Sequence, residues 1–73
     1  MTNKLDSAEA YNDRGMERAE NDDFEGAIAD YTKVIELAPD AAPAYFNRGL
    51  VKAKLGDTEG ANADCEYAKS LES

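Results

Sequence analysis

The sequence contains two copies of one unit, offset by 34 residues. Residues 10–15 (AYNDRG) return as residues 44–49 (AYFNRG). Sliding the whole chain by 34 positions without a gap gives fourteen identical pairs, which fall in both halves of the unit. This agreement is more than shared composition produces in a chain of 73 residues. A repeat of this period indicates stacked copies of one supersecondary element, because a single copy cannot bury its own apolar face.

Each unit reads as two helices joined by a short turn. In the first unit, small and apolar residues recur at helical spacing from Ala8 to Ala19, and the pattern ends at Asn21 and Asp22, which tolerate a left-handed turn. A second helix follows, closed by Pro39. Its apolar stripe comprises Phe24, Ala27, Ile28, Tyr31, Val34 and Ile35.

Acidic residues mark the predicted helix starts. Asp6 and Glu9 have the spacing of a capping box, and Asp22 and Glu25 repeat that spacing before the second helix. We therefore expect Asp6 and Asp22 to be the N-cap residues.

The second unit repeats this order with clearer signals for the start and end of each helix. Asp40 and Pro43 flank the predicted start of its first helix, Gly56 lies in the turn, and its second helix runs to about Leu71. We expect Gly15 and Gly49 to let the two helices of each unit approach closely. The small residues expected to face them are Ala27 and Ala61.

The 34-residue helix–turn–helix unit resembles the tetratricopeptide repeat family over residues 8–73. The residues that match its pattern are Tyr11, Gly15, Ala27, Tyr31 and Pro39 in the first unit, and Tyr45, Gly49 and Ala61 in the second. The resemblance implies an all-α fold of four antiparallel helices in a short right-handed α-solenoid. Residues 1–7 would form an N-terminal extension, 8–41 the first repeat, and 42–73 the second.

The last predicted helix is unusually polar. The positions of Phe24, Ile28 and Ile35 are taken in the second unit by Thr58, Asn62 and Lys69. Repeat arrays need a terminal unit with a polar outer face, and we therefore interpret this helix as a cap. The alternatives are a piece excised or engineered from a longer array and a chain that completes itself by dimerising.

Family members generally hold a peptide or a partner helix in the concave groove formed by the first helices of successive repeats. The resemblance therefore implies a protein-binding groove here. Its candidate residues are Glu9, Asn12, Met16, Glu20, Phe46, Asn47, Leu50 and Lys54, with Ala19 and Ala53 beside them. Met16, Phe46 and Leu50 are the strongest signal, because apolar groups away from the packed face mark a binding surface or cover a neighbour.

One subset of the family grips the terminal carboxylate of chaperone tails with Lys, Asn and Arg side chains. Asn47 and Arg48 resemble part of that set. The lysine expected at Asn12 is absent, and Met16 stands where an asparagine is expected. The sequence therefore argues against carboxylate recognition.

Charge and cysteine content limit the partners and the compartment. The net charge of −8 disfavours nucleic acid and anionic membranes. We interpret the acidic residues as a solvated surface that keeps the chain soluble, with a basic protein partner or a high-salt habitat as the alternatives. Cys65 is the single cysteine, and no apolar run is long enough for a signal peptide or membrane helix. We expect a cytoplasmic protein, with a homodimer as one possible state.

Catalysis and metal binding are poorly supported by the residues present. The chain has no histidine to act as a base near neutral pH, and we expect Cys65 to be buried as a small hydrophobe. Asp22, Asp23 and Glu25 lack the spacing of a calcium loop and suit helix capping better. We therefore predict a non-catalytic scaffold without a cofactor or metal, or alternatively a self-associating structural unit.

Overall fold

The computed structural model describes residues 7–72, which form four helices joined by short turns. They are α1 (Ala8–Glu20), α2 (Phe24–Leu37), α3 (Ala42–Lys54) and α4 (Thr58–Glu72). The predicted all-α fold of two helical hairpins, α1–α2 and α3–α4, is confirmed. Of the predicted N-terminal extension, residues 1–6 lie outside the described part, as does Ser73.

The start of α1 is capped by Ser7. The Ser7 side-chain oxygen accepts a hydrogen bond from the Ala10 amide at 3.1 Å, which satisfies one of the free amides of the first turn. Glu9 lies in that turn, where the helix dipole favours a negative charge. Asp6, the N-cap predicted from the sequence, lies outside the described residues.

The turn between α1 and α2 corrects the second predicted N-cap. Asp22 takes a left-handed conformation with φ of 64°, and the Asp23 amide donates to the Arg18 carbonyl at 2.8 Å. This pattern is a Schellman motif that ends α1. Because Asp22 is used in ending one helix, Asp23 caps the next, and its carboxylate accepts from the Gly26 amide at 3.1 Å. The predicted N-cap role of Asp22 is therefore wrong.

The turn between α3 and α4 has the same geometry with a glycine at the left-handed position. Gly56 has φ of 88°, and the Asp57 amide donates to the Lys52 carbonyl at 2.9 Å. The Asp57 carboxylate then accepts from the Gly60 amide at 2.9 Å. The predicted turn around Gly56 is confirmed.

The core lies at the contact between the two hairpins. Ala27 and Tyr31 of α2 are buried against Val51 of α3, with Ala19, Phe24 and Ile28 packed around them. α2 contacts both α1 and α3, and α4 packs against α3. The shortest dimension of the fold is only 14 Å. A layer this thin leaves much of α1 and α3 open to solvent.

The two glycines of the repeat lie at close helix contacts, but with different neighbours. A Cβ at Gly15 would lie 2.9 Å from the Tyr31 ring, so that ring faces Gly15, while the expected contact between Gly15 and Ala27 stays a prediction. A Cβ at Gly49 would lie 2.9 Å from the Ala61 carbonyl oxygen and 3.0 Å from Cys65 Sγ. Tyr31 is large enough to fill the contact by itself, whereas its counterpart Cys65 leaves the backbone of α4 close to Gly49.

Cys65 is half-buried, which is less than the buried position predicted from the sequence. The side of Cys65 that faces α3 meets Gly49. Among residues 7–72, no helix is long and apolar enough to cross a membrane.

Candidate groove between the hairpins

A cavity of about 400 Å³ opens between α1, α2 and α3. Four predicted groove residues line it, namely Glu20, Asn47, Leu50 and Lys54. The other lining residues are Ala19, Asp22, Phe24, Tyr31 and Val51. The structure therefore brings together half of the eight candidate residues, one from α1 and three from α3.

Phe46 extends the apolar lining beyond the cavity. It lies one helical turn before Leu50 on α3, and these two side chains are 47% and 48% exposed. Residues four apart lie on the same helix face. Phe46 and Leu50 thus form an exposed apolar strip, which we call the α3 strip.

The other three candidates lie on α1 and do not line the cavity. Met16 is 45% exposed, and the Asn12 side-chain amide is 3.7 Å from its sulfur. Glu9 is exposed in the first turn of the helix. Met16 instead borders a shallow concavity on the open face of α1, together with Tyr11, Arg14 and other residues of the same helix.

Sequence reasoning missed four residues of the lining. Phe24 and Tyr31 belong to the apolar stripe of α2, Val51 was not singled out, and Asp22 was interpreted as an N-cap. The stripe of α2 packs against both neighbouring helices, so its side chains also reach the groove. The sequence feature that could have pointed to Phe24 is its large apolar side chain, because the equivalent position of the second unit holds the smaller Thr58.

The floor of the cavity is buried and lies close to negative charge. Burial raises the pKa of the Tyr31 phenol, and the carboxylates of Asp30 and Glu20 raise it further. Glu20 is exposed at the rim of the cavity. Its negative charge therefore acts on the groove interior as well as on the surface.

The second hairpin contains an ion-pair network between α3 and α4, centred on the buried Asp64. The Arg48 guanidinium donates to both oxygens of Asp64, at 2.8 and 2.9 Å, and Lys52 lies 3.1 Å from the same carboxylate. Burial opposes ionisation of Asp64, but the hydrogen bonds from Arg48 and Lys52 outweigh it and lower its pKa. Arg48 also donates to Thr32 Oγ1 at 3.1 Å, which links the two hairpins.

The first hairpin repeats the central pair of this network. Arg14 donates to both oxygens of the buried Asp30, at 2.9 and 3.0 Å, and Arg18 lies 3.5 Å from the same carboxylate. Each arginine also lies 5.6 Å from a tyrosine ring centroid, Arg14 over Tyr11 and Arg48 over its counterpart. Sequence reasoning missed both arginine–aspartate pairs. The sequence did contain a signal, because Arg14 and Asp30 recur 34 residues later as Arg48 and Asp64.

This network argues further against recognition of a terminal carboxylate by Arg48. Its Nε, Nη1 and Nη2 groups all donate to Asp64 or Thr32. A ligand carboxylate would have to compete with a buried internal one. Asn47 is the other residue that resembles the carboxylate-binding set of the family. It lines the cavity, whereas Arg48 does not.

Acidic residues do not form a metal site in the described part of the chain. Among residues 7–72, no group of three or more His, Cys, Asp or Glu side chains is placed to hold an ion. Asp23 caps α2, and Asp22 ends α1. Glu25 lies in the first turn of α2, where the helix dipole favours its charge.

Comparison with known proteins agrees with the helical hairpins. A family model described as TPR repeat matches residues 15–56, which is more than half of the chain. A second model, described as tetratricopeptide repeat, matches residues 42–73. No curated protein matches the chain in sequence. The two matched models together with the repeated α-hairpins show that the chain belongs to the tetratricopeptide repeat family.

Proposed function

We propose that the chain is a non-catalytic scaffold that docks a peptide or a partner helix in the groove between α1 and α3. Repeats of this family are generally protein-interaction modules. The observation that carries the proposal is the α3 strip beside the cavity, where Phe46 and Leu50 are about half exposed. Exposed apolar surface next to a buried apolar floor is typical of a docking site.

One ligand could contact the cavity floor and the α3 strip at the same time. Tyr31 and Val51 are 2% and 5% exposed and form the floor. Leu50 lines the cavity and also belongs to the strip. An apolar side chain seated in the cavity would contact Leu50, and the next turn or residue of the ligand would reach Phe46.

We also retain three sequence-based interpretations as proposals. Residues 1–7 form an extension, 8–41 the first repeat and 42–73 the second repeat, whose last helix is a polar cap. The exposed Thr58, Asn62 and Lys69 on α4 support the cap. The single cysteine supports a reducing, cytoplasmic location.

The competing proposal is a self-associating unit whose groove is covered by another copy. The exposed Met16, Phe46 and Leu50 favour it, because they would be buried in such a contact. The net charge of −8 opposes it, since two copies would repel each other.

Affinity capture with matched variants tests the docking proposal. Wild-type protein, the double variant Phe46→Ala/Leu50→Ala and the control variant Leu37→Ala are immobilised, and bound proteins are quantified by mass spectrometry. Leu37 is a suitable control because it is 49% exposed but lies at the end of α2 and does not line the cavity. We expect the double variant to lose partners that wild type and Leu37→Ala retain, with unchanged helix content by circular dichroism. Equal capture by all three proteins would contradict the proposal.

A further inference from the structure

We propose that the groove between the hairpins selects a basic peptide segment. One bulky apolar side chain of that segment is buried in the cavity, and a Lys or Arg side chain lies beside Glu20 and Asp22 at the cavity rim. The inference rests on the proposed docking function and specifies the chemistry of the partner. It commits to a cationic peptide, and an acidic peptide or a second copy of this chain becomes an outcome of the test.

The apolar part of the ligand follows from the lining of the cavity. Phe24, Tyr31, Leu50 and Val51 contribute aromatic and aliphatic surface to one space of about 400 Å³. Pockets that take small ligands or side chains begin at about 300 Å³, so the space accepts a leucine or a larger residue. A ligand without an apolar anchor would leave this surface in contact with water.

The charge of the ligand follows from the two carboxylates at the rim. Glu20 and Asp22 line the cavity on the α1 side, and neither forms an ion pair with any of residues 7–72. Lys54 is the single cationic residue of the lining and lies on the α3 side. The rim therefore presents two negative charges against one positive charge.

The two arginines of α1 do not neutralise this rim. Arg14 pairs with Asp30, and Arg18 pairs with Asp30 and Asp23. The carboxylates of α1 recur on one side of the helix, within an arc of about 80° at 100° per residue. They are Glu9, Asp13, Glu17 and Glu20. This side of α1 carries the negative field from the cavity rim along the length of the helix.

Other occupants are electrostatically less favourable. A second copy of the chain also carries a net charge of −8, and an acidic peptide has the same sign. A cation at the rim gains from Glu20 and Asp22 directly and from the net charge at longer range.

Selection from a library of short random peptides displayed on phage tests the inference, because such a library offers basic, neutral and acidic ligands together. Peptides are selected on wild type and depleted on Phe46→Ala/Leu50→Ala, so that the remaining binders depend on the α3 strip. We expect them to carry a net positive charge, with Lys or Arg next to a bulky apolar residue. Strip-dependent binders that are neutral or acidic would overturn the inference and leave the docking function intact. If no binder depends on the strip, the docking function fails and the inference fails with it.

Fluorescence anisotropy with one selected peptide then tests the rim. We expect Glu20→Gln/Asp22→Asn to weaken binding about three- to tenfold, the range for two exposed ion pairs. Asparagine is chosen because it tolerates the φ of 64° at Asp22. The matched control Glu59→Gln/Glu66→Gln removes two exposed carboxylates from α4, away from the cavity, and should bind within twofold of wild type.

Salt separates a rim contact from an altered structure. The difference between wild type and Glu20→Gln/Asp22→Asn should shrink when sodium chloride is raised from about 0.05 M to about 0.5 M, because exposed charges are then screened. Equal affinity of wild type and the rim variant at low salt would overturn the inference. So would a homodimer of the wild-type chain that Phe46→Ala/Leu50→Ala dissociates, because the groove would then hold a second copy.

Discussion

Arg48 binds the Asp64 carboxylate through two nitrogens, at 2.8 and 2.9 Å, although these residues belong to different helices and lie 16 positions apart. The same relationship joins Arg14 to Asp30 in the first hairpin. The two pairs differ in exposure, since the Arg48 side chain is 17% exposed and that of Arg14 is 53% exposed. We therefore expect the two ion pairs to contribute unequally to the stability of the fold.

Replacing Asp64 should destabilise the fold more than replacing Asp30. Asp64→Asn leaves the half-buried Arg48 and Lys52 without their carboxylate, and we expect a loss of about 2–4 kcal/mol in the free energy of unfolding. Asp30→Asn should cost less, because water can solvate the exposed Arg14. Urea denaturation followed by circular dichroism measures both values. Equal losses would show that the exposure of the arginine does not set the energy.

Stability should fall in acid because of Asp64. Its pKa in the folded chain lies below the usual value near 3.9, so its charged form stabilises the fold above about pH 4. That contribution is lost as the pH falls through the lowered pKa. We expect the unfolding free energies of wild type and Asp64→Asn to converge as the pH falls below about 4 and through the lowered pKa of Asp64. A difference that stays constant over this range would contradict the ion-pair explanation.

Adding a methyl group at Gly49 should destabilise the second hairpin. A Cβ there would lie 2.9 Å from the Ala61 carbonyl oxygen, and a backbone atom cannot move aside as a flexible side chain can. Overpacking costs about 1–3 kcal/mol, which exceeds the gain of about 1 kcal/mol in helix propensity. We therefore expect Gly49→Ala to lower the thermal midpoint. Asn62→Ala, at an exposed position of α4, is the control for propensity alone and should raise the midpoint slightly.

The chain should remain monomeric at low salt. Sedimentation velocity over a range of concentrations should give a constant sedimentation coefficient, because the net charge of −8 opposes contact between the exposed α3 strips of two copies. Screening at high salt weakens this repulsion, so any dimer should appear there first. A dimer at low salt that Leu50→Ala dissociates would support the self-associating unit instead.

The helix order and the turns could be predicted from local sequence. The repeat of 34 residues and the apolar spacing identified all four helices, and Gly56 marked one turn correctly. The N-cap of α2 was misplaced by one residue. Asp22 and Asp23 have the same chemistry, and their roles are separated by the left-handed φ of Asp22 and by the hydrogen bond from the Gly26 amide to the Asp23 carboxylate.

The groove could be predicted only in part. Met16, Phe46 and Leu50 were expected to be away from the packed faces, and all three are about half exposed. The cavity, however, includes Phe24 and Tyr31, which local pattern assigns to a packed stripe. A stripe that contacts two neighbouring helices also lines the space between them, and this follows from how the hairpins stack.

By itself, the sequence determined the repeat, the helices and the family, because these depend on spacing and residue type along the chain. The tertiary structure decided which residues share a space. It paired Arg48 with Asp64 and Arg14 with Asp30, and it placed Glu20 of α1 at the same cavity as Leu50 of α3. The physical reason is that ion pairs and cavities form between residues distant in sequence, whose separation depends on how the helices pack.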